Sequence, residues 1–324
     1  MIILRNQKPV VNIHSTKEDL IKILKEAIKE SGVHKQKKIF IKPNISHPDF
    51  IPGVITDPVL LYELVGLLRN NAEEVLVGES NGYNYSCKFA FEKTGLKKAV
   101  NRAGGVVVNL SEDKIVKIKF HNSPNKPKEL FLPKIVVEAD AIIDLPLMKT
   151  HEFTMFSGAI KNLFGCVPSN RRIYLHPFLN EVFYKLYSVL NPNLTIMDAR
   201  VGLEGNGPTK GDPVDMNLIL SSTSALATDI IASEIMGLKL EQIKHLNYIA
   251  NKKKMSRKKI ITRGLEVGEV TRKFKLPKID LPVRAQMKIY KHEYLTKALF
   301  CSLDIVKLFQ KITLAYRGKP IEIN

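Results

Sequence analysis

Short apolar segments of the β-strand type alternate with amphipathic helical segments through most of this chain. Strands are predicted over residues 38–41, 73–78, 105–110, 140–145, 194–197, 217–220 and 259–262. Helices are predicted from residue 15 or 16 to 28, over 57–68, 85–102, 177–190 and 240–250, and from about residue 225. This alternation is typical of a mostly parallel sheet with helices on both faces, so an α/β fold is expected.

Two segments interrupt the alternation. Residues 111–133 are extended and alternating with a polar tip at 122–128, which predicts a hairpin on the sheet edge. Residues 200–213, RVGLEGNGPTKGDP, contain four glycines and two prolines and are predicted to form a loop without regular structure.

Polar side chains follow several of the strands directly. They are Lys42 and Asn44, then Glu79 and Ser80, then the segment after 140–145, and finally Asp198. Because the carboxyl ends of parallel strands meet at one edge of a sheet, these side chains are expected to gather at one rim.

The densest polar group lies in residues 144–168, DLPLMKTHEFTMFSGAIKNLFGCVP. After an apolar strand this segment carries Lys149, Thr150 and His151, then Ser157 and Gly158, and then Lys161 and Asn162. A hydroxyl and a glycine at a helix start leave free backbone N–H groups, which favour a bound anion. The alternative is a plain strand–loop–helix connection with solvated lysines. The crowding of cationic, hydroxyl and imidazole groups favours a site.

Roles follow from residue types. Lys42, Lys149 and Lys161 are expected to hold phosphate or carboxylate oxygens, and His151 is the candidate general acid or base. The acids Glu79, Asp198 and Glu204 are candidates to orient His151 or to bind a hard cation such as Mg²⁺; each is otherwise a loop cap. The candidate catalytic residues are His151, Lys161 and Glu204. The candidate binding residues are Lys42, Asn44, Glu79, Ser80, Lys149, Thr150, Ser157, Gly158, Asn162, Asp198, Gly207 and Lys210.

The three cysteines, Cys87, Cys166 and Cys301, lie far apart. Their spacing predicts no zinc site, no iron–sulfur cluster and no disulfide framework. It favours a reducing compartment, and a cytoplasmic location is expected. The first residues predict no secretory signal, and no apolar run approaches membrane-spanning length. The cofactor stays open, with a divalent metal as one possibility.

The formal net charge is +18, with one dense block at residues 252–254 and 257–259. Solvated lysines explain such a charge, and an anionic partner is the second interpretation. Nucleic acid is an unlikely partner, because no nucleic-acid motif is present and aromatic residues are not interleaved with the block.

Beyond Pro282 apolar residues recur in steps of three and four as far as Tyr316, with basic residues on the other faces. The sequence is therefore divided into an α/β core at 1–280 and an amphipathic helical extension at 281–324. Residues 283–316 are expected to pack on the core or on a second copy. The alternative is an interfacial helix at an anionic membrane surface, which would make the protein peripheral at the membrane.

Five motifs occur in a distinctive order. They are IKPN at 41–44, TDP at 56–58, VGES at 77–80, KTHEFTMFSGAIKNLFG at 149–165 and EGNGPTKGDP at 204–213. From residue 38 to 275 the chain resembles the domain-of-unknown-function family 362 (DUF362). That family often carries ferredoxin-type iron–sulfur clusters, but this chain lacks the cysteine runs for them.

A more distant likeness is to the catalytic protein of the nickel-pincer lactate racemases. Those proteins have a histidine, an FSGG-like turn, and a lysine ten positions after the histidine; here His151 and Lys161 have that separation. In that family the lysine tethers the cofactor, and histidines serve as ligand and as acid or base. His176 lies where a further ligand histidine falls, but this chain has SGAIKN where those enzymes have a second glycine.

The resulting hypothesis is an enzyme that binds a small anionic substrate or cofactor and uses His/Lys acid–base chemistry. The alternative is a non-catalytic accessory protein that docks on a membrane or a partner through its C-terminal helix. Nucleic-acid binding through the basic block ranks third.

Overall fold

The computed structural model describes residues 8–82, 85–120, 127–168 and 172–300. The strands in these ranges are β1 (Val10–Ser15), β2 (Gln36–Lys42), β3 (Ala72–Glu79), β4 (Val106–Asn109), β5 (Ile115–Lys119), β6 (Glu129–Pro133), β7 (Ala141–Asp144), β8 (Leu147–His151), β9 (Met155–Ser157), β10 (Leu194–Asn206), β11 (Lys210–Ser222) and β12 (Ile261–Gly264).

The helices in the same ranges are α1 (Leu20–Ser31), α2 (Pro58–Arg69), α3 (Cys87–Lys93), α4 (Leu96–Arg102), α5 (Lys134–Val137), α6 (Ala159–Asn162), α7 (Leu179–Leu190), α8 (Ala225–Ile235), α9 (Lys244–Lys252), α10 (Val267–Val270), α11 (Leu281–Tyr290) and α12 (Glu293–Phe300). Short 3₁₀ turns cover Leu163–Cys166, Ile173–Phe178, Leu240–Gln242 and Arg257–Lys259.

One large sheet organises the molecule, in the order β12-β1-β11-β10-β7-β2-β3-β4. The run from β10 through β7, β2 and β3 to β4 is parallel, whereas β11 is antiparallel to both of its neighbours. The mostly parallel α/β sheet that the sequence predicted is therefore confirmed. The carboxyl ends of β2, β3, β7 and the parallel part of β10 consequently share one edge.

Two hydrophobic cores lie on opposite faces of the sheet. One contains residues of α1, α2, α3 and α4, including Leu24, Leu64 and Phe91. The other contains residues of α7, α8 and α9, including Val182 and Leu246. Because strands β2 and β7 contribute side chains alternately to the two cores, their sequences are apolar throughout rather than alternating.

Helix boundaries follow the capping residues. Asp57 accepts hydrogen bonds from the N–H groups of Val59 and Leu60, with Pro58 in the first turn, as its sequence predicted. The predicted helix over 85–102 is wrong as a single element, since Gly95 at φ +78° separates α3 from α4.

Two other predictions need correction, and one strand was missed. Residues 200–213 do not form a loop without regular structure: except for the turn at 207–209 they belong to β10 and β11, a long antiparallel hairpin that includes Glu204 opposite Asp212. Strands β5 and β6 do form a hairpin, but they make a separate two-stranded sheet rather than an edge of the main one. Strand β1 was not predicted at all.

The beginning of the C-terminal extension forms α11 and α12. The remaining stripe positions from residue 301 to 316, together with the hairpin tip at 121–126 and the loop residues Asn170 and Arg171, lie outside the described residues. Among the described helices, none has the length and apolar character needed to cross a membrane.

Candidate functional site

Five of the predicted site residues, together with Asp144, form a buried hydrogen-bonded group at the carboxyl edge of the sheet. This strand-end network consists of Lys42, Asn44, Glu79, Asp144, Lys149 and Asn162. Lys42 contacts the carboxylate of Glu79 and donates to the carbonyl of Pro43 at 2.7 Å. The charge of Lys42 is therefore matched within the chain.

The hydrogen-bonding capacity of Lys149 Nζ is fully used by neighbouring oxygens. Its Nζ donates to Asn44 Oδ1 at 2.7 Å, Val54 O at 2.9 Å and Ser46 Oγ at 3.2 Å, and the residue is 1% exposed. Burial, followed by the charges of Lys161 and Lys42, lowers the pKa of Lys149 well below its usual value. Lys149 thus ties the loop of residues 44–54 to β8.

Asn162 closes the network from α6. Its Nδ2 donates to Asp144 Oδ1 at 2.8 Å and to the carbonyl of Lys42 at 3.2 Å, and its Oδ1 accepts from Asn44 Nδ2 at 3.0 Å. Burial raises the pKa of Asp144 well above its usual value, although the Asn162 hydrogen bond and the Lys42 charge oppose this. Asp144 Oδ2 has no hydrogen-bond partner in the described part of the chain.

The helix start at Ser157 and Gly158 already holds a carboxylate from the chain itself. Asp229 on α8 accepts hydrogen bonds from the N–H groups of Ala159 at 2.6 Å and Ile160 at 2.9 Å. A Cβ at Gly158 would meet Asp229 Oδ1, so glycine is required for this close approach. These two amides are therefore not free for an external anion, which corrects the expected anion-binding mode.

Lys161 lies one turn further along α6 in a different environment. It is half-buried, and its Nζ makes no hydrogen bond or salt bridge within the ranges that the structure describes. Its positive charge lowers the pKa of three histidines, His151, His176 and His245. Arg172 in turn acts on Lys161. We call these five residues the imidazole cluster.

His151 and His176 present opposite tautomers. The backbone N–H of Phe153 donates to His151 Nδ1 at 3.0 Å, so Nδ1 is an acceptor and the proton of the neutral ring is on Nε2. His176 Nδ1 contacts the carbonyls of Arg172 at 3.1 Å and Ile173 at 3.2 Å, and carbonyl oxygens only accept. Its Nδ1 therefore carries the proton, which leaves the Nε2 lone pair free. The cluster thus contains one imidazole donor and one imidazole acceptor.

A chain of ring contacts connects the three histidines. His151 contacts Phe153, Phe153 contacts Tyr290, and Tyr290 stacks on His176 with centroids 4.3 Å apart. From His176 the contacts continue through Phe164 and Phe183 to His245. Tyr290 ends α11, so the C-terminal extension supplies one wall of the cluster.

Burial and neighbouring positive charges lower the pKa values of the side chains in the imidazole cluster. Burial, with a smaller effect of Lys161, lowers the pKa of His245 to about 3, and burial also lowers that of His176 to about 4. The pKa of His151 is lowered well below its usual value for the same reasons. Burial, and then Arg172, lower the pKa of Lys161 to about 8. The cluster therefore holds neutral imidazoles beside an amine of intermediate pKa at neutral pH.

His245 has an unmatched nitrogen. The residue is 2% exposed and its Nε2 has no hydrogen-bond partner in the described ranges. Buried polar atoms are almost always paired, so an unpaired one in a polar cluster is a sign of a ligand or a bound water. His245 was not predicted from the sequence, because its only distinguishing sequence feature is a position on the apolar face of α9.

The remaining predicted site residues lie outside the imidazole cluster and the strand-end network. Asp198 forms a bidentate pair with Arg200 through bonds of 2.9 and 2.8 Å. Glu204 accepts from the backbone of Lys275 at 2.9 Å and from its Nζ at 3.1 Å, and these bonds lower its pKa although burial opposes them. Neither acid contacts His151, so the expected orienting role has no contact to support it.

Three more predicted residues lie where the β10–β11 hairpin meets β8. Thr150 donates to the carbonyls of Leu203 at 3.1 Å and Gly205 at 2.8 Å. A Cβ at Gly207 would meet the carbonyl of Thr150, so the hairpin packs closely there. Lys210 is exposed at the start of β11. Ser80, which follows β3, is buried, and its Oγ has no partner among the described residues.

No group of three His, Cys, Asp or Glu side chains is placed to hold a metal ion in the ranges that the structure describes. The divalent metal that the sequence left open stays a prediction. A separate cavity of about 550 Å³ lies between the β5–β6 sheet, the turn at Ile173–Phe178 and α12, and its lining includes Tyr174 and Glu293. None of the residues of the imidazole cluster lines it.

Comparison with known proteins gives a family match over residues 39–234, more than half of the chain, to the model described as Domain of unknown function (DUF362). The thylakoid-associated protein sll1697 of Synechocystis sp. is 25% identical over 210 residues, which is 62% of this chain and 63% of that protein. The chain thus matches less than two thirds of this relative's length.

Two solved structures are also similar. The lactate racemase apoprotein from Thermoanaerobacterium thermosaccharolyticum is 17% identical at a TM-score of 0.46, covering 72% of this chain and 58% of that one. A Thermotoga maritima protein from a structural genomics consortium is 12% identical at a TM-score of 0.42, covering 67% of this chain and 57% of that one.

Proposed function

We propose that this chain, which belongs to the DUF362 family, is an enzyme that binds a small carboxylate- or phosphate-bearing molecule at the imidazole cluster and moves a proton on it. The family membership that the motifs predicted is confirmed by the match over residues 39–234. The substrate and the reaction are the parts that this proposal adds.

One observation carries the proposal: within the described ranges Lys161 has no anionic partner, although it interacts electrostatically with three neutral imidazoles and Arg172. A half-buried ammonium without a counter-charge is costly, and a bound anion would relieve that cost. The other lysines of the site do not offer this, because Lys42 contacts Glu79 and Lys149 donates to three oxygens.

The opposite tautomers supply the chemistry. His151 Nε2–H can donate a hydrogen bond to an oxygen of the bound molecule on which negative charge develops, and His176 Nε2 can accept a proton. Acid–base catalysis needs both partners in the right protonation state at working pH, and the lowered pKa values keep both rings neutral there.

Anion binding is tested by calorimetric titration of the full chain with acetate, inorganic phosphate and a panel of small carboxylates. Replacing Lys161 by Met removes one charge-assisted hydrogen bond and should weaken binding by about 10- to 100-fold. The matched control is Lys97→Met, because Lys97 is a surface lysine that contacts Glu92. Equal affinities for the two variants, or no binding of any anion to the wild type, would remove the proposal.

Proton transfer is tested separately with a ligand found in that panel. In D₂O, the wild type should introduce deuterium at the carbon next to the anionic group, as followed by NMR. His151→Gln and His176→Gln should each slow this exchange by about 100-fold or more, the usual contribution of an acid or base. Exchange that proceeds equally in both variants would contradict the assigned roles.

A second function has its own observation. Several large apolar side chains are exposed near the C-terminal extension, among them Leu281 at 79% and Tyr294 at 80%, with Leu276 and Leu295 close in sequence. Basic residues Arg284 and Lys288 lie on the same helix, α11, and the Synechocystis relative is named as thylakoid-associated. Peripheral docking on an anionic membrane fits this pattern, and packing against a second copy fits it as well.

Vesicle co-sedimentation distinguishes these alternatives. Vesicles with anionic phospholipid should carry the full chain into the pellet, and Leu281→Asp together with Leu295→Asp should release it. If the protein stays in the supernatant but elutes as a dimer that the same substitutions dissociate, the exposed residues serve self-association instead.

A further inference from the structure

Lys161 differs chemically from the two other lysines near it. Lys42 is bonded to Glu79 and to the carbonyl of Pro43, and Lys149 donates to three oxygen atoms. In both, the nitrogen is occupied by acceptors. Lys161 Nζ has no such acceptor within the described ranges, and the residue keeps part of its surface exposed. The partial exposure of Lys161 and the lack of an acceptor in those ranges leave its amine available to a small molecule.

The surroundings of Lys161 favour the free amine. Burial and the neighbouring charge of Arg172 lower the pKa of Lys161 to about 8. Lysines that are desolvated next to another cation are the ones that act as nucleophiles toward carbonyl groups, because the uncharged amine carries the reactive lone pair.

The position of Lys161 is also fixed. Helix α6 has only four residues, and the carboxylate of Asp229 accepts its first two N–H groups. Asn162, the next residue, is bonded to Asp144, Asn44 and the carbonyl of Lys42. The backbone of Lys161 is therefore held on both sides, which is what an oriented nucleophile requires.

We propose that Lys161 forms an imine with a small aldehyde or ketone that carries a carboxylate or phosphate group. The inference rests on the proposed function, because the imidazole cluster must first hold the anionic end of that molecule. Arg172, the cation that acts on Lys161, is the group available for this, leaving the carbonyl carbon to Lys161 and the carbonyl oxygen to the His151 Nε2–H.

The reaction is balanced without any further reagent. The Lys161 Nζ lone pair forms a bond to the carbonyl carbon, and the π electrons move onto the carbonyl oxygen, which accepts a hydrogen bond from His151 Nε2. The two amine protons pass in turn through His176 Nε2 to that oxygen. The C–O bond breaks, water leaves, and the C=N bond forms; addition of water reverses every step.

The test is reductive trapping of the full-length chain with glyoxylate, a carboxylate-bearing aldehyde, and cyanoborohydride. Each trapped imine becomes a carboxymethyl-lysine, which peptide mass spectrometry assigns to its position. At pH 7.5, a lysine with a pKa of about 8 has about 100-fold more free amine than an ordinary surface lysine. Lys161 should therefore be modified about 100-fold faster than Lys97, and Lys149 should remain unmodified because its nitrogen is engaged and buried.

The outcomes separate this inference from the proposed function. Acetate carries the same anionic group but has no aldehyde, so it should bind and should slow the modification of Lys161 by competition. If acetate binds but Lys161 reacts no faster than Lys97, the imine is wrong and anion binding stands. If neither acetate nor glyoxylate binds, both proposals fail together. Since the rates are read for each lysine in the wild type, no substitution has to fold for the test to be decisive.

Discussion

Two lysines at the same edge of the sheet differ in whether the chain satisfies their hydrogen-bonding groups. Lys149, in the strand-end network, has all of its hydrogen-bonding capacity used by Asn44, Ser46 and Val54. Lys161, in the imidazole cluster, has none of it used within the described ranges. The two lysines are only twelve positions apart in the sequence, and both belong to the same motif. A conspicuous basic residue in a motif is therefore not by itself evidence for ligand binding; the deciding property is whether the chain already satisfies it.

The largest expected difference between the two regions is in stability. Lys149→Met removes the Nζ donor from Asn44 Oδ1, Ser46 Oγ and Val54 O, of which Val54 O keeps a hydrogen bond from Ser46 Oγ. We expect a loss on the order of 3 kcal/mol in the free energy of unfolding. Lys161→Met removes no hydrogen bond to the described residues and should change the free energy of unfolding by less than about 1 kcal/mol. Urea unfolding of both variants measures this. A loss of similar size in both would mean that Lys161 has a structural partner.

The next effect concerns the residue that holds α6. Asp229→Ala leaves the N–H groups of Ala159 and Ile160 without their acceptor, so a loss of about 2 kcal/mol in stability is expected. Asp229→Asn keeps one acceptor oxygen and should lose less. Both variants should also weaken acetate binding, since Lys161 lies on this helix. Unchanged binding in a destabilised Asp229→Ala protein would show that α6 does not position Lys161.

Acid should weaken the imidazole cluster specifically. The folded-state pKa of His245 is about 3 and that of His176 is about 4, below the usual value of about 6.5. The unfolded chain therefore binds more protons between these values, so stability falls as pH decreases from about 6.5 towards 4. Asp229, whose pKa is raised to about 7, contributes a slope of opposite sign.

The wild type and His245→Phe both contain Asp229, so the difference between their stability–pH profiles isolates the contribution of His245. The variant should show a shallower loss of stability in acid, with a difference on the order of 2 kcal/mol between pH 6.5 and pH 4. Urea midpoints across this range provide the measurement. Parallel pH profiles for the two proteins would indicate that His245 is not held neutral by its surroundings.

The smallest expected effect is at the wall of the cluster. Tyr290→Ala removes the ring that stacks on His176 and touches Phe153, which should cost about 1 kcal/mol of stability. Its larger consequence is access: Lys161 should react a few-fold faster with glyoxylate, while Lys149 stays protected. A rate for Lys161 that does not change would place the entrance to the cluster on another side.

The fold was predictable where hydrophobic periodicity is local. Helix α2 follows from Asp57, Pro58 and the apolar positions after them, and the parallel strands follow from their continuous apolar runs. Strand β1 was missed because its pairing partner, β11, is about 200 positions away, and nothing local marks six residues as a strand. The β10–β11 hairpin was missed because four glycines and two prolines outweigh its alternation in any propensity argument.

The site was predictable only in part, for a related reason. Lys161 and His151 could be selected because a strand end and a helix start flank them. The acceptor that occupies the helix start, Asp229, comes from a helix 70 residues away, and so the N–H groups that the motif predicted to be free are not. His245 and Tyr290 looked like ordinary apolar-face positions of amphipathic helices, and only tertiary packing brings them to His176 and Phe183.

The ring of Tyr290 and the imidazole of His245 lie beyond residue 234, where the family match ends. The part of the imidazole cluster on residues 151–176 thus lies inside the family match, whereas His245 and Tyr290 lie outside it. Exchanging residues 240–300 between family members should therefore change which molecules bind at the imidazole cluster, while the sheet and its lysines remain unchanged.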